Sequence, residues 1–329
     1  MRIVVIGLGS MGKRRIRLIK KFFNNSIDIY GIDSNKNRIT ESQEKFGIIP
    51  CNGIETASRI GCECAFVCTS PLSHFSIICE CLRQGMHVFT ELNVVADGYD
   101  EMISLSKINN KVLFLSSTFL YRTEIQYIIE KTRSVNTKTN YFYHVGQYLP
   151  DWHPWEKIND FFVFDKRTNG CREILVRELP WIIEAFGEIK HIKVLKNKIS
   201  SLELSYDDSY CILFEHTNGS CGTVLIDVVS RKPNINLELI NENFYVSWNG
   251  TPTGLYEFDL NSKKEIQICL YKDYEHEEGY SKNIIEDAYL SEIDAFFKQV
   301  SNGILPIYNF EKDKKTLLVM DEIEGIINE

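Results

Sequence analysis

Short apolar runs alternate with longer amphipathic stretches over the first 120 residues of the chain. Runs that are apolar throughout are typical of parallel strands buried on both faces of a sheet, and the stretches between them carry apolar residues at helical spacing. This alternation predicts a doubly wound, parallel α/β sheet. The predicted strands cover 2–6, 27–32, 65–68, 88–90 and 112–116, and the helices run to Phe23 and over 35–46 and 73–84.

The pattern changes after about residue 120. Residues 137–147 alternate like a strand, and strand-like runs then follow one another from 189 to 268, separated by turn signals such as Asn249-Gly250. Consecutive strands without helices between them predict a large, open and mostly antiparallel sheet in an α+β domain. Helices are predicted over 172–186, 285–301 and 309–327. We therefore expect two domains, 1–120 and 121–329.

A glycine-rich turn links the first strand to the first helix. Residues 7–12 read GLGSMG, which is the GxGxxG spacing of a dinucleotide-binding Rossmann domain when a strand precedes it and a helix follows. Such glycines allow a tight turn, let the backbone approach the pyrophosphate and let helix and strand pack closely. We expect the pyrophosphate to contact Gly7, Gly9, Ser10, Met11 and Gly12. The basic run 13–15 is expected to be a solvated helix face, or to add one contact to the pyrophosphate.

An acidic residue ends the second predicted strand. Asp33 lies 21 residues after Gly12, where a carboxylate accepts hydrogen bonds from the adenosine ribose and repels a 2′-phosphate. The sequence thus predicts NAD as the cofactor. Ser34, Lys36 and Arg38 weaken that preference, which leaves NADP as the alternative.

Charge and cysteine content limit the classes of partner. A net charge of −8 argues against nucleic-acid binding, and no apolar run is long enough for a membrane span. The ten cysteines form no CxxC pair, so we expect reduced, buried thiols, no metal site and a cytoplasmic location. The chain shows no secretory signal at its start, and we expect a small-molecule substrate.

Two further segments carry a family resemblance. Residues 67–74 read VCTSPLSH and residues 85–91 read GMHVFTE, which resembles the TPxxxH and GxHVxxEKP patterns of the Gfo/Idh/MocA family of glucose–fructose oxidoreductase and inositol dehydrogenase. The resemblance implies a Rossmann domain followed by a domain with a large open sheet, through which homodimers or homotetramers form. It implies hydride transfer between a sugar or cyclitol carbon and nicotinamide. Residues 146–154, GQYLPDWHP, resemble members that serve cell-surface sugar biosynthesis.

The resemblance also assigns residues to the site. Thr69, Pro71 and His74 would line the cofactor, and Glu91 would lie near the nicotinamide ribose and the catalytic centre. The family's catalytic lysine is replaced by Leu92. Leucine cannot exchange a proton, and general acid–base catalysis typically contributes about 10²- to 10⁴-fold. Turnover should therefore be slow unless another group takes that role.

The second catalytic motif of the family is altered as well. Counting back from Gly187, Arg177 occupies the position of the family's histidine and Pro180 that of its aspartate. Arginine stays protonated and cannot act as a base, but it can bind a carboxylate or phosphate with two parallel hydrogen bonds. Arg177 is therefore a candidate for holding an anionic substrate group.

Three residues are candidates for the missing proton transfer: His153, Asp151 and Glu178. His153 titrates in the right range, but a loop histidine between tryptophans is as readily a packed side chain. Glu178 could act as a base or simply pair with the adjacent Arg177. The side chains of Trp152, Trp155 and Trp181 could stack on a sugar ring or belong to the core.

Three functions fit these observations. The first is an NAD-dependent oxidoreductase acting on a sugar derivative, supported by the complete dinucleotide motif. The second is a catalytically degenerate NAD-binding protein with a regulatory or binding role, supported by Leu92, Arg177 and Pro180. The third, a non-redox enzyme that passes through a transient keto intermediate, needs the same missing proton transfer. The sequence favours the first.

Overall fold

The computed structural model describes residues 1–154, 157–272, 274 and 284–326. The chain divides into two compact units, and each is built from two stretches. The first unit comprises Met1–Thr118 and Tyr289–Lys314, and the second comprises Phe119–Ala288 and Lys315–Glu329. None of the helices within the described ranges is both long enough and apolar enough to cross a membrane.

The first unit contains a six-stranded sheet in which every pairing is parallel. Its strands are β1 (Arg2–Ile6), β2 (Asp28–Ile32), β3 (Ile49–Pro50), β4 (Cys64–Val67), β5 (His87–Thr90) and β6 (Leu113–Leu115), in the order β3-β2-β1-β4-β5-β6. Its helices are α1 (Ser10–Phe22), α2 (Lys36–Phe46), α3 (Ile54–Ile60), α4 (His74–Arg83) and α5 (Tyr99–Ile108). The order reverses beside β1, so the carboxyl ends of β1 and β4 border the crevice where such sheets bind ligands. The predicted doubly wound sheet is confirmed.

Three elements of this unit were missing from the sequence prediction: β3, α3 and α5. β3 has only two residues and ends in a proline, so it carries no periodic signal. α5 buries only Tyr99 and Met102, which leaves too few apolar positions to mark a helical face.

The division of the chain differs from the predicted boundary at residue 120, because Tyr289–Lys314 packs with the first unit. Most of the helix α8 (Glu286–Asn302) lies in this stretch. Its Phe296 ring contacts the rings of Phe66, Phe89 and Phe114, on three neighbouring strands, at centroid distances of 5.3, 5.7 and 5.8 Å. The aromatic surface of the parallel sheet therefore draws α8 into the first unit, where the sequence prediction assigned it to the second.

The second unit contains an eight-stranded sheet that is antiparallel except for the pairing of β7 with β10. Its strands are β7 (Asn140–Gly146), β8 (Ile189–Asn197), β9 (Ser209–His216), β10 (Cys221–Asp227), β11 (Asn234–Asn241), β12 (Phe244–Trp248), β13 (Leu255–Asp259) and β14 (Lys264–Gln267), in the order β14-β13-β12-β11-β7-β10-β9-β8. Its helices are α6 (Thr123–Arg133) and α7 (Gly170–Phe186), and α9 (Phe310–Glu324) ends in it. The predicted large, mostly antiparallel sheet is confirmed.

The two faces of this sheet differ in what covers them. On one face Tyr141 stacks on Phe186 of α7 at 4.1 Å, and Tyr143 meets Trp181 edge to face at 5.2 Å. On the other face apolar side chains stay accessible to solvent, among them Phe142 (49% exposed) and Leu213 (51% exposed). Both are paired in register with Thr223 of β10, so they lie on the same face, on the two strands that flank β10. The accessible face thus carries large apolar side chains in contact with water.

We expect the isolated protein to have the mass of two or four chains in light scattering after gel filtration, with this face at the interface. The double variant Phe142→Glu/Leu213→Glu should shift that mass toward one chain, because the interface would then bury two carboxylates. Ile108→Glu is the matched control, since Ile108 is 78% exposed on α5 of the first unit. A single-chain mass for the unaltered protein, or an unchanged mass for the double variant, would contradict the prediction.

Candidate functional site

The glycine turn lies between β1 and α1, and its three glycines meet different surroundings. A Cβ on Gly12 would lie 1.9 Å from the carbonyl oxygen of Gly7, and Gly7 itself has φ +90°. These two glycines are therefore required by the turn and by its contact with α1. A Cβ on Gly9 would meet nothing closer than the Arg38 guanidinium at 3.9 Å, so Gly9 leaves open space above the backbone.

The N-terminus of α1 adjoins this open space. Gly9 caps the helix without any side-chain hydrogen bond, and Ser10 and Met11 are at least partly exposed. The first N–H groups of the helix are thus available to an anion, and the helix dipole favours negative charge there. The predicted pyrophosphate contacts remain a proposal, but the cradle has the shape that a dinucleotide needs.

Asp33 follows β2 and is fixed beside the glycine turn. Its Oδ2 accepts a hydrogen bond from the Leu8 N–H and its Oδ1 accepts one from the Asn35 N–H, both at 2.7 Å. Each carboxylate oxygen has a further lone pair for a ribose hydroxyl. Arg38 places a half-exposed guanidinium 4.0 Å from the same carboxylate. The carboxylate favours NAD, and Arg38 supplies a cation that a 2′-phosphate would require.

The segment 69–74 is held together by His74. Its Nε2 lies 3.0 Å from the Thr69 carbonyl oxygen, and its Nδ1 lies 2.6 Å from the amide group of Asn93. His74 is only 2% exposed, burial lowers its pKa, and its Nε2 is placed to donate to the Thr69 carbonyl oxygen. Pro71 is buried as well, whereas Thr69 is half-buried. Of the three residues predicted to line the cofactor, Thr69 is thus the most accessible, and the contacts of all three with a cofactor stay a prediction.

Glu91 is held by an arginine of α1. Arg15 donates from Nε to Glu91 Oε1 at 2.5 Å and from Nη2 to Oε2 at 3.1 Å. The same Nη2 reaches Glu292 of α8 at 2.7 Å and the Ser116 hydroxyl at 3.1 Å. Burial disfavours the charge of Arg15, but Glu91 and Glu292 raise its pKa, so the guanidinium stays protonated. The expectation that 13–15 is a solvated helix face is thus wrong for Arg14 and Arg15, which are both buried.

Leu92, which the resemblance places at the position of the family's lysine, offers no proton donor. Leu92 follows Glu91, and the next residue, Asn93, is buried against His74. Glu91 keeps 12% of its side chain exposed, so one edge of its fixed carboxylate stays accessible. The Glu91 carboxylate is therefore the acidic group next to Leu92 that a ligand can reach.

In the second unit, Arg177 and Glu178 form an ion pair on α7. Arg177 Nε donates to Glu178 Oε1 at 3.0 Å, while Glu178 Oε2 accepts from the Tyr143 hydroxyl at 2.7 Å and from the Trp181 indole at 2.8 Å. The Glu178 side chain is fully buried, whereas 32% of that of Arg177 is exposed. Glu178 is therefore placed to orient Arg177, and it has no accessible oxygen for a substrate proton.

Arg177 uses its Nε atom for the ion pair, and its side chain remains partly exposed to solvent. Its guanidinium centre lies 5.0 Å from the ring centroid of Phe119, which fixes its plane. Within the described part of the chain, its two Nη nitrogens donate no hydrogen bond. Burial disfavours its charge, but Glu178 and Glu173 raise its pKa. The arrangement can bind a carboxylate or a phosphate.

The remaining predicted residues of this unit have mixed positions. The half-buried His153 lies 4.2 Å from the ring of Phe161, consistent with packing, and Asp151 is exposed. Trp181 is fully buried in the core, and Trp152 donates to the Gln147 carbonyl oxygen at 3.2 Å. Trp155 lies outside the described residues.

Glu173 was missed by the sequence reasoning. It lies one helical turn before Arg177 on α7, and these two are the only residues of Gly170–Ile182 that are not buried. The i, i+4 spacing of an acid and an arginine was present in the sequence. It resembles an ordinary surface ion pair, so the spacing alone did not indicate a site.

Fold and site together define a nicotinamide dinucleotide-binding protein. Residues 1–116 match the family model described as Gfo/Idh/MocA oxidoreductase family, NAD-binding Rossmann fold. The N-terminal segment is thus similar to that family, in agreement with the resemblance stated from the sequence. A sequence search among curated proteins finds no match to the chain.

Solved structures resemble the chain over 99% of its length. UDP-N-acetylglucosamine 3-dehydrogenase from Acidithiobacillus ferrooxidans is 13% identical with a TM-score of 0.76, and the match covers 97% of that chain. Levoglucosan dehydrogenase in complex with NADH is 14% identical with a TM-score of 0.80 over 96% of its chain. Biliverdin reductase from Synechocystis, solved with biliverdin and NADP⁺, is 14% identical with a TM-score of 0.77 over 98% of its chain. At such identities the likeness establishes the fold.

We expect Gly9→Val to abolish tight NADH binding while leaving the fold intact. Gly9 has φ −73° and ψ −161°, which valine can adopt, and its Cβ position is open within the protein. The side chain would instead occupy the space that the pyrophosphate needs. A fluorescence titration with NADH measures the loss, expected to exceed ten-fold in Kd, and thermal unfolding measures the fold. An unchanged Kd would place the cofactor elsewhere.

Proposed function

We propose that the chain is an NAD-dependent oxidoreductase that interconverts a hydroxyl and a carbonyl group on a sugar or sugar derivative. The observation that carries the proposal is the glycine turn with its open Gly9 and the fixed carboxylate of Asp33. The family match over residues 1–116 supports the redox class. The names of two similar structures, a UDP-N-acetylglucosamine dehydrogenase and a levoglucosan dehydrogenase, favour a sugar. The third similar structure, a biliverdin reductase solved with biliverdin, has the same fold. The fold alone therefore does not select sugars.

Arg177 directs the proposal toward an acidic substrate. An exposed guanidinium edge on a rigid, buried anchor is suited to a carboxylate or phosphate, and a sugar acid or a nucleotide sugar carries such a group. We therefore propose that Arg177 binds the anionic group of the substrate.

The dinucleotide, when bound, supplies the hydride donor or acceptor. The protein's part is to orient both reactants and to move the hydroxyl proton. Glu91, fixed by Arg15, is proposed to contact the nicotinamide ribose. A protein group other than residue 92 must then exchange the proton, since Leu92 cannot.

The setting of the reaction follows from two weaker observations. All ten cysteines are free thiols, which supports a reducing compartment such as the cytoplasm. The resemblance of residues 146–154 to proteins of cell-surface sugar biosynthesis supports a role in making such polysaccharides.

A catalytically degenerate NAD-binding protein is the second candidate. It is favoured by one specific observation: neither Leu92 nor Pro180 can transfer a proton, and Glu178 has no accessible oxygen. Such a protein would bind NADH and respond to a sugar without oxidising or reducing it.

The deciding experiment is a titration with NADH and NADPH, followed by absorbance at the nicotinamide band with nucleotide sugars and sugar acids added in both redox directions. Turnover with one of these compounds supports the oxidoreductase. NADH binding without turnover of any compound favours the degenerate protein, and absence of binding by either dinucleotide contradicts both.

We expect Arg177→Ala to raise KM for the anionic substrate by about ten- to 150-fold, because a charge-assisted contact worth roughly 1.5–3 kcal/mol is lost. NADH affinity should not change. Arg133→Ala is the matched control. Arg133 is largely exposed and pairs with Glu184 of α7, the helix that carries Arg177. Equal KM values for the unaltered protein and the Arg177 variant would remove Arg177 from the substrate site.

A further inference from the structure

The accessible surface of α7 is a narrow stripe. Thirteen of its seventeen residues are buried, and the exceptions are Glu173, Arg177, Ile183 and Glu184. Glu173, Arg177 and Glu184 follow one another along one side of the helix, because four and seven residues correspond to nearly whole numbers of turns. Glu184 pairs with Arg133. For Glu173 and Arg177, the other two ionisable residues of this stripe, no ion pair with a residue outside α7 is present among the described residues.

Glu173 has few constraints on its carboxylate. Within the described residues, no donor hydrogen-bonds its side chain, in contrast to Glu178 with its three donors. Among the described residues, the ionisable groups that interact with it are Arg177 and Glu178 on the same helix and His153 on the preceding loop. A half-buried carboxylate with free lone pairs next to an anion-binding arginine is suited to accept a proton from a bound hydroxyl.

We propose that Glu173 exchanges the substrate hydroxyl proton, in the role that Leu92 cannot fill. The inference rests on the proposed oxidoreductase function. In the oxidative direction, the hydroxyl O–H bond breaks and its proton passes to the Glu173 carboxylate. The carbon–hydrogen bond breaks with both electrons, and the hydride leaves for the oxidised nicotinamide as the carbonyl double bond forms. In the reductive direction, protonated Glu173 returns the proton to the oxygen.

The environment of Glu173 suits this role. Burial raises its pKa, and Glu178 adds to the rise, while Arg177 and His153 oppose it. A carboxyl group whose pKa lies above its usual range is a stronger base when ionised and a usable acid nearer neutral pH. Partial exposure lets it exchange the proton with solvent between turnovers.

The simpler alternative is that Glu173 only forms a surface ion pair with Arg177. Such an i, i+4 pair contributes little to stability, and its loss would leave turnover nearly unchanged. The two possibilities therefore differ in kinetics, whereas the stability of their variants is similar.

The test uses Glu173→Gln and Glu173→Ala, assayed with the compound from the nucleotide-sugar and sugar-acid panel that the unaltered protein turns over. We expect kcat to fall by about 10²- to 10⁴-fold with unchanged NADH affinity. Added formate should partly restore kcat in Glu173→Ala. For oxidation, kcat of the unaltered protein should rise with pH through one ionisation, because the base must be deprotonated, and this step should vanish in Glu173→Gln.

Two controls separate the possible causes. Glu184→Gln alters the same stripe and should keep kcat. His153→Gln should keep the pH step in kcat. Loss of the step in that variant would assign the ionisation to His153 and overturn the inference. Unaltered kcat and pH profile in Glu173→Gln would overturn the inference alone, whereas absence of turnover by the unaltered protein with every compound would overturn the proposed function, and the inference with it.

Discussion

A buried guanidinium connects three parts of the first unit. Arg15 reaches Glu91 after β5, Ser116 after β6 and Glu292 on α8 from its position in α1. A charge removed from water is tolerated only when it is paired and hydrogen-bonded, so each of these partners is needed once Arg15 is buried. The result is that α1, the helix that begins at the glycine turn, and the carboxylate of Glu91 are fixed relative to each other.

The anchored pair on α7 follows the same principle. Glu178 is buried and accepts from Tyr143, Trp181 and Arg177, so its position is determined by the core of the second unit. Because Arg177 donates to this fixed carboxylate, its guanidinium is held in one orientation while its Nη edge stays accessible. In both units an accessible charged group is held by a buried partner, and this is how a protein keeps a polar side chain in one orientation before any ligand binds.

Local patterns were enough to predict much of the fold. The glycine turn, the parallel strands and the change to consecutive strands after residue 120 each depend on neighbours close in sequence. The partners of Arg15 could not be predicted in this way, because Glu91 and Glu292 lie 76 and 277 residues away. Within 13–15 nothing local separates a buried arginine from a solvated one. Glu173 was missed for a related reason. The sequence does not show that the residues around it on α7 are buried, and only their burial distinguishes Glu173 from an ordinary surface acid.

The discontinuous first unit has a consequence for how the chain folds as it is made. The polypeptide passes between the units at residues 118–119, 288–289 and 314–315. A ribosome-bound fragment that ends near residue 120 already contains the parallel sheet, but it lacks Phe296, which covers Phe66, Phe89 and Phe114. It also lacks Glu292, the second carboxylate that pairs with Arg15. Such a nascent chain exposes an aromatic surface until α8 has been synthesised, and surface of this kind favours aggregation of incompletely folded chains.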